Sequence, residues 1–337
     1  MSVLVTGGAG YIGSHMVCLL IDAGEEVVVL DRLSTGFRWA VGPAARFYEG
    51  DIADRGLLRM IFSENAIDTI VHFAGSITVP ESIADPLSYY ENNTVSSCAL
   101  IAAALEGKVP YFVFSSTAAV YGTPENAGPV AETAALHPES PYGTSKLMTE
   151  MMLRDIAAAY DFTYTALRYF NVAGADPHGR TGQSTAGATH LIKVAIEAAL
   201  GKRNGIEVYG TDYPTPDGTC VRDYIHVTDL ANAHLKAVQR MRAGGRSIIA
   251  NCGYGRGFSV LEVLDQVKAV SGVDFPVRKG ARRPGDPVSI VANPTVAMQE
   301  LDWKPQYDDL SFIIRTALIW EDRLSRAPCV SDARRVL

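Results

Sequence analysis

Through its first half the chain alternates short apolar runs with longer segments of helical period. The runs at residues 3–5, 26–31, 46–51, 68–74, 111–115 and 162–168 are rich in Val, Ile, Phe and Tyr. They read as strands, because β-branched and aromatic side chains pack well on a pleated surface. Residues 11–23, 54–63, 86–106 and 142–160 instead repeat apolar residues every three to four positions, which predicts helices. Strands that are apolar throughout, rather than alternating, are buried on both faces, so the pattern predicts a parallel sheet covered by helices on each side. The second half is less regular: residues 171–187 are polar and glycine-containing, and residues 209–219 (YGTDYPTPDGT) are dense in turn formers.

Glycines sharpen this picture. Residues 3–13 read VLVTGGAGYIG, with Gly7, Gly10 and Gly13 between a strand and a helix, and the next strand ends in Asp31. Gly7 permits a tight turn, Gly10 lets backbone N–H groups approach a pyrophosphate, and Gly13 lets the helix pack closely on the strand. The helix N-terminus adds unpaired donors and the positive end of its dipole. Asp31 stands where a carboxylate hydrogen-bonds an adenosine ribose, which favours NAD over NADP. Arg32 is the discordant neighbour, since an arginine there can neutralise a 2′-phosphate. The predicted fold is therefore α/β: a Rossmann-type doubly wound parallel sheet with a smaller C-terminal α/β lobe. The expected division is residues 1–171 for dinucleotide binding and 172–337 for the substrate lobe, with about 222–250 returning to the sheet.

Ser115-Ser116-Thr117 closes a buried strand, and Tyr142 and Lys146 follow on a helix at i and i+4, hence on one face. A phenol with pKa near 10 is a poor base at neutral pH unless a nearby cation stabilises the phenolate. Lys146 supplies one such charge.

Lys+Arg total 30 against 37 Asp+Glu, a net charge of −7, which argues against a general nucleic-acid or anionic-membrane binder. No stretch is apolar and long enough to span a bilayer. The five cysteines (Cys18, Cys98, Cys220, Cys252, Cys329) form no CxxC pair, and the seven histidines form no HxH or HExxH arrangement. A cytoplasmic protein without a metal is the expectation.

The combination of glycine turn, Ser/Thr-ended strand and Tyr-x-x-x-Lys resembles the short-chain dehydrogenase/reductases of the extended branch. Within that branch four segments resemble the UDP-glucose 4-epimerase family: VTGGAGYIGSH near the start, Arg168-Tyr169-Phe170-Asn171, residues 214–227 (PTPDGTCVRDYIHV), and Arg282-Arg283-Pro284-Gly285-Asp286. The resemblance covers nearly the whole chain. It implies oxidation at C4 of a UDP-hexose by tightly held NAD, turnover of the 4-keto sugar, and hydride return to the other face. Tyr142 would then be the acid/base at C4, Lys146 its ribose-holding partner, and Thr117 a hydrogen-bonding group on the reacting oxygen. NAD contacts would come from Tyr11, Ile12, Asp31, Asp51, Ile52, Phe73, Ala74, Gly75, Asn92, Tyr142, Lys146 and Phe170. UDP-sugar contacts would come from Asn171, Leu191, Tyr209, Arg222, Arg283 and Asp286, with the two arginines on the diphosphate.

The chain departs from the family pattern at Ile77, where some members carry lysine, and at His190, where asparagine is common. Ile290 stands where side-chain size bears on acceptance of N-acetylated sugars, leaving UDP-pentoses and UDP-N-acetylhexosamines open as substrates. A sugar-nucleotide dehydratase would need an acid/base pair after Thr117, where this chain has Ala118-Ala119. A non-catalytic NAD-binding regulator remains the alternative of another class. The helices at 86–106 and 142–160 are apolar on more than one face, which predicts a homodimer.

Overall fold

The computed structural model describes residues 1–124, 128–283 and 285–326; Pro284, Cys329 and the rest of the predicted lobe beyond residue 326 lie outside them. In chain order the elements are β1 Ser2–Thr6, α1 Tyr11–Asp22, β2 Glu26–Asp31, β3 Arg46–Glu49, α2 Arg55–Glu64 and β4 Ile67–His72. Then come α3 Val79–Ala84, α4 Pro86–Tyr89, α5 Ser96–Glu106, β5 Tyr111–Thr117, α6 Pro141–Ala159, β6 Thr163–Tyr169 and β7 Asn171–Ala173. The remainder is α7 Leu191–Ala199, β8 Ile206–Tyr209, β9 Val221–His226, α8 Val227–Arg242, β10 Ile248–Cys252, β11 Gly257–Ser259, α9 Val260–Ser271, β12 Val277–Gly280, β13 Ser289–Ile290, α10 Thr295–Glu300 and α11 Leu310–Arg326.

Seven strands form one sheet in the order β10-β6-β5-β4-β1-β2-β3, every neighbouring pair parallel. Its strands feed two cores because successive side chains point to opposite faces. Val3, Val5, Val27 and Val29 join Met16, Leu20, Leu230 and Val238 from α1 and α8. Leu4, Val28 and Leu30 join Leu58, Ile61, Leu100 and Leu153 from α2, α5 and α6 on the other side. An uninterrupted apolar run thus fills both layers.

Local sequence marks the helix starts. Asp54 accepts from Gly56 N and Leu57 N at the start of α2, and Ser140 accepts from Gly143 N at the start of α6, with Pro141 in the first turn. The helix expected over 86–106 is present without interruption, but α4 and α5 join through a π-helical turn at Tyr90–Val95. That turn swings Asn92 and Asn93 toward the loop after β4. Single π turns of this kind gather at functional sites, and no side-chain pattern announces them.

The smaller lobe holds a sheet in which β9 pairs with β7 and β13 in parallel and with β11 antiparallel, and a β8–β12 pair. Helices α7, α9 and α11 close its core through Ile192, Ile196, Val263, Val267, Ile313 and Ile314. The lobe is not one continuous stretch of chain. α8 and β10 lie against the large sheet, and Ala297, Leu301 and Trp303 pack into the same core as Met16 and Leu20. Part of the region read as irregular, residues 171–173, is the short strand β7.

Candidate active site

Strand order reverses between β1 and β4, and in open α/β sheets the crevice beyond the strand C-termini at that point takes the ligand. Gly7, Asp31, Asp51, Phe73 and Phe170 each follow or end one of these strands, so the topology brings most of the proposed cofactor residues to one edge.

The glycines are required by contact. Gly7 has φ +70°, and a Cβ on it would lie 2.6 Å from the Ala74 nitrogen. A Cβ on Gly13 would collide with the Gly7 carbonyl oxygen, so α1 rests directly on the turn. Gly10 is the N-cap of α1 and offers no capping side chain, leaving the first-turn N–H groups of Tyr11 and Ile12 facing the crevice. Asp31 is buried, and its carboxylate accepts from Ala9 N at 2.9 Å and Leu33 N at 2.8 Å. Burial, only partly offset by these amides, holds its pKa above the usual carboxylate value. Arg32 points away, pairing with Asp51 at 2.9 Å on the surface. A bare donor-rich helix end beside a fixed carboxylate fits a dinucleotide. Ile52 is buried next to Asp51, Phe73 packs 4.7 Å from the His234 ring, and Asn92 Nδ2 donates to Ser76 Oγ. Tyr11 donates to the Gly174 carbonyl at 2.7 Å, which ties the glycine turn to the smaller lobe.

At the centre of the edge, Tyr142 and Lys146 are 7% and 3% exposed. Lys146 Nζ donates to the Ser115 carbonyl at 3.0 Å and stands 5.0 Å from the Phe114 ring centre. Burial lowers its pKa to about 8. Burial also raises the pKa of Tyr142, while the side chain of Thr117 pulls it down. Near pH 7 Tyr142 is thus held as the neutral phenol. Gly75, at φ +155°, sits against Asn93: a Cβ there would lie 3.0 Å from its Oδ1 and 3.7 Å from Lys146 Nζ.

On the lobe side, Asn171 and Leu191 line a cleft together with Tyr11, His190, Lys193 and Trp320. His190 is open to solvent at its mouth. Arg222 and Arg283 both reach Asp286, at 2.5 and 2.9 Å. The Arg283 guanidinium also lies 4.9 Å over the Tyr209 ring, and Tyr209 is 39% exposed, so this aromatic is not core. Ile77 is exposed, whereas Ile290 is buried with Phe170 and Ala118. The edge can thus hold a dinucleotide and a second anionic ligand with a buried Tyr–Lys pair between them.

The NAD dependent epimerase/dehydratase family model matches residues 3–253. The chain belongs to that family. It is 54% identical over 325 residues to a UDP-glucose 4-epimerase of Azospirillum brasilense, covering 96% of this chain and 93% of the relative. The crystal structure of UDP-glucose-4-epimerase from Stenotrophomonas maltophila, with bound NAD and formylated UDP-arabinopyranose, superposes with TM-score 0.94 at 41% identity, over 97% of this chain and 100% of that one. The UDP-Glc/GlcNAc 4-epimerase of Campylobacter jejuni gives 0.83 at 46% identity, over 96% and 99%.

Some functional neighbours carry no sequence signal. Asn93, not only Asn92, braces the loop after β4: it accepts from Ser76 N at 2.7 Å and donates to the Ser76 carbonyl and to Ser145 Oγ. It is buried, and only the π turn directs it inward. Trp39 and Trp320, 6.0 Å apart, meet across the seam between the loop after β2 and α11. Their separation along the chain hides the pairing.

Proposed function

We propose that this protein catalyses the reversible C4 epimerisation of UDP-glucose and UDP-galactose with NAD bound. The observation that carries the reading is the buried Tyr142–Lys146 pair beside Thr117, at the C-terminal edge of a sheet whose glycine turn and Asp31 fit a dinucleotide. When bound, NAD supplies a hydride acceptor and donor within one turnover, so no external oxidant is consumed.

Tyr142 takes the proton from the C4 hydroxyl and returns it in the reverse half-reaction, as a single acid/base must. Thr117 hydrogen-bonds the same oxygen. Lys146, with its pKa near 8, is still mostly charged at neutral pH and stabilises the phenolate that burial alone disfavours. Arg222 and Arg283 exchange their shared Asp286 for the diphosphate, a planar guanidinium being suited to bidentate phosphate contacts. Tyr209 borders the uridine, and Asn171 and Leu191 border the sugar. Ala118 and Ala119 offer no proton-transfer group after Thr117, which disfavours dehydration.

Ile290, buried against Phe170, borders the space for a C2 substituent, so the assay includes both N-acetylhexosamine forms and UDP-xylose. Purified protein with NAD and UDP-galactose is expected to yield UDP-glucose. No interconversion of any UDP-sugar in the panel would overturn the reading. Tyr142→Phe is expected to lower kcat by about 10²–10⁴-fold while NAD stays bound.

The same reading divides the chain at about residue 171 into cofactor and substrate parts and places it in the cytoplasm as a homodimer. Supporting the dimer, Val95, Met148 and Met151 are 60%, 40% and 47% exposed on the adjacent π turn and α6. Light scattering at micromolar concentration should give twice the chain mass.

A further inference from the structure

Glu150 lies on α6 one turn beyond Lys146 and two beyond Tyr142, on the face that meets β5. Lysine and glutamate at i and i+4 share a helix face and can pair, less favourably in this order than in the reverse. Here they do not: Lys146 donates to Ser115 and Glu150 accepts from Ser116 Oγ at 2.5 Å, so consecutive residues of β5 hold them apart. The carboxylate is taken instead by Arg168 of β6, whose Nε is 3.0 Å from Oε1 and whose Nη2 is 2.5 Å from Oε2. Glu150 and Arg168 are 3% and 2% exposed. The other side of the guanidinium donates to Tyr121 Oη at 3.0 Å, and Tyr121 in turn donates to Asn251 on β10.

A buried ion pair is weak evidence for stability, because desolvation offsets most of the attraction. Its placement here has a chemical use. We propose that Arg168 is a positioning residue for the reaction: by occupying both oxygens of Glu150 it keeps that carboxylate off Lys146, whose ammonium stays uncompensated on the Ser115 carbonyl, one helix turn from Tyr142. The proposal rests on the epimerase reading, in which Lys146 stabilises the Tyr142 phenolate.

The surrounding groups do not substitute for this device. His72 on β4 and Cys252 on β10 are buried and Tyr169 on β6 is half-buried, and desolvation keeps all three neutral near pH 7. Tyr121, after β5, is held protonated in the same way. Half-buried Glu132 is engaged by the Asn251 amide. Charge in this layer is therefore carried by Lys146, Glu150 and Arg168, with Glu132 at its edge. Without Arg168, Glu150 would draw the Lys146 ammonium and oppose ionisation of Tyr142 from the same side.

The test compares Arg168→Gln, Glu150→Gln and the double variant with the intact protein, NAD bound, through the pH dependence of kcat. In Arg168→Gln the rising limb is expected to move up by about one pH unit, roughly a tenfold loss at pH 7. In the double variant, which lacks the carboxylate too, the limb returns to its original pH whatever the absolute rate. Glu150→Gln alone should show no upward shift, which keeps the test open if Arg168→Gln fails to fold. Equal losses in all three without displacement of the limb would make the pair a structural brace and overturn the proposal, as would an upward shift in Glu150→Gln. Ultraviolet titration of the phenolate, taken as the difference from Tyr142→Phe, reads the same displacement without turnover. It separates failure of this proposal from failure of the epimerase reading.

Discussion

The two ends of the crevice are built from different materials. The cofactor end is backbone and absent side chains: three glycines, a bare helix start and Asp31 fixed by two amides. Its shape is complete before anything binds. The end proposed for the sugar nucleotide is made of long charged side chains that satisfy one another, Arg222 and Arg283 on Asp286, with Tyr209 half in solvent. In the epimerase reading, a cofactor kept through many turnovers would be served by a backbone mould, which pays little ordering entropy. A ligand that leaves every cycle is served by pairs that can trade one anion for another.

The contrast can be broken most forcefully with acid, because the large sheet and its helices bury three neutral imidazoles and the smaller lobe one, His226 at the end of β9. Burial lowers the pKa of His15 to about 4, His72 to about 3, His226 to about 3 and His234 to about 4, from 6.5. Below pH 6.5 the unfolded chain takes up protons that the folded one refuses, so stability present above that pH is lost as pH falls. Each imidazole contributes about 1.4 kcal/mol per pH unit, and urea unfolding at pH 7 and pH 5 should show a summed loss larger than any single substitution gives. A flat profile would mean that these imidazoles are charged in the fold.

Next in size is Gly13→Ala, which drives a methyl into the Gly7 carbonyl oxygen. A cost of about 1–3 kcal/mol is expected, read as a lower melting temperature together with loss of the stabilisation that added NAD provides. Retained NAD stabilisation would show that the mould is softer than its contacts imply. At the other end, Arg222 is 11% exposed in its side chain and Arg283 is 54%. Arg222→Ala should therefore raise KM for the UDP-sugar by about 30-fold and Arg283→Ala by about fivefold, following the usual gap between buried and exposed charge pairs. Equal effects would erase that distinction. The smallest effect belongs to Arg32→Ala: its pair with Asp51 lies on the surface, so melting should change by less than about 0.5 kcal/mol in stability and NAD should remain preferred over NADP.

What could be read from the chain follows the same division. A backbone mould leaves its mark in sequence, because only glycine tolerates the contacts at Gly7 and Gly13, and a doubly covered sheet needs uninterrupted apolar strands. Tyr142 and Lys146 were legible because one helix turn relates them. The Glu150–Arg168 pair was not: 18 residues and a strand crossing separate its members. Nor was Asn93, whose inward aim depends on a π turn that costs the helix no change in composition. The pairing of Asp286 with Arg222, 64 residues apart, likewise arises only when β9 and β13 lie side by side.

The chain passes between the large sheet and the smaller lobe repeatedly: out at β7, back at α8 and β10, out at β11, back at α10 and Trp303, and out again to α11. A lobe laced on in this way has no single hinge strip about which to swing, so its freedom is shear of packed surfaces over a few side chains. In the epimerase reading, the sugar would then have to turn over with little help from movement of one part against the other.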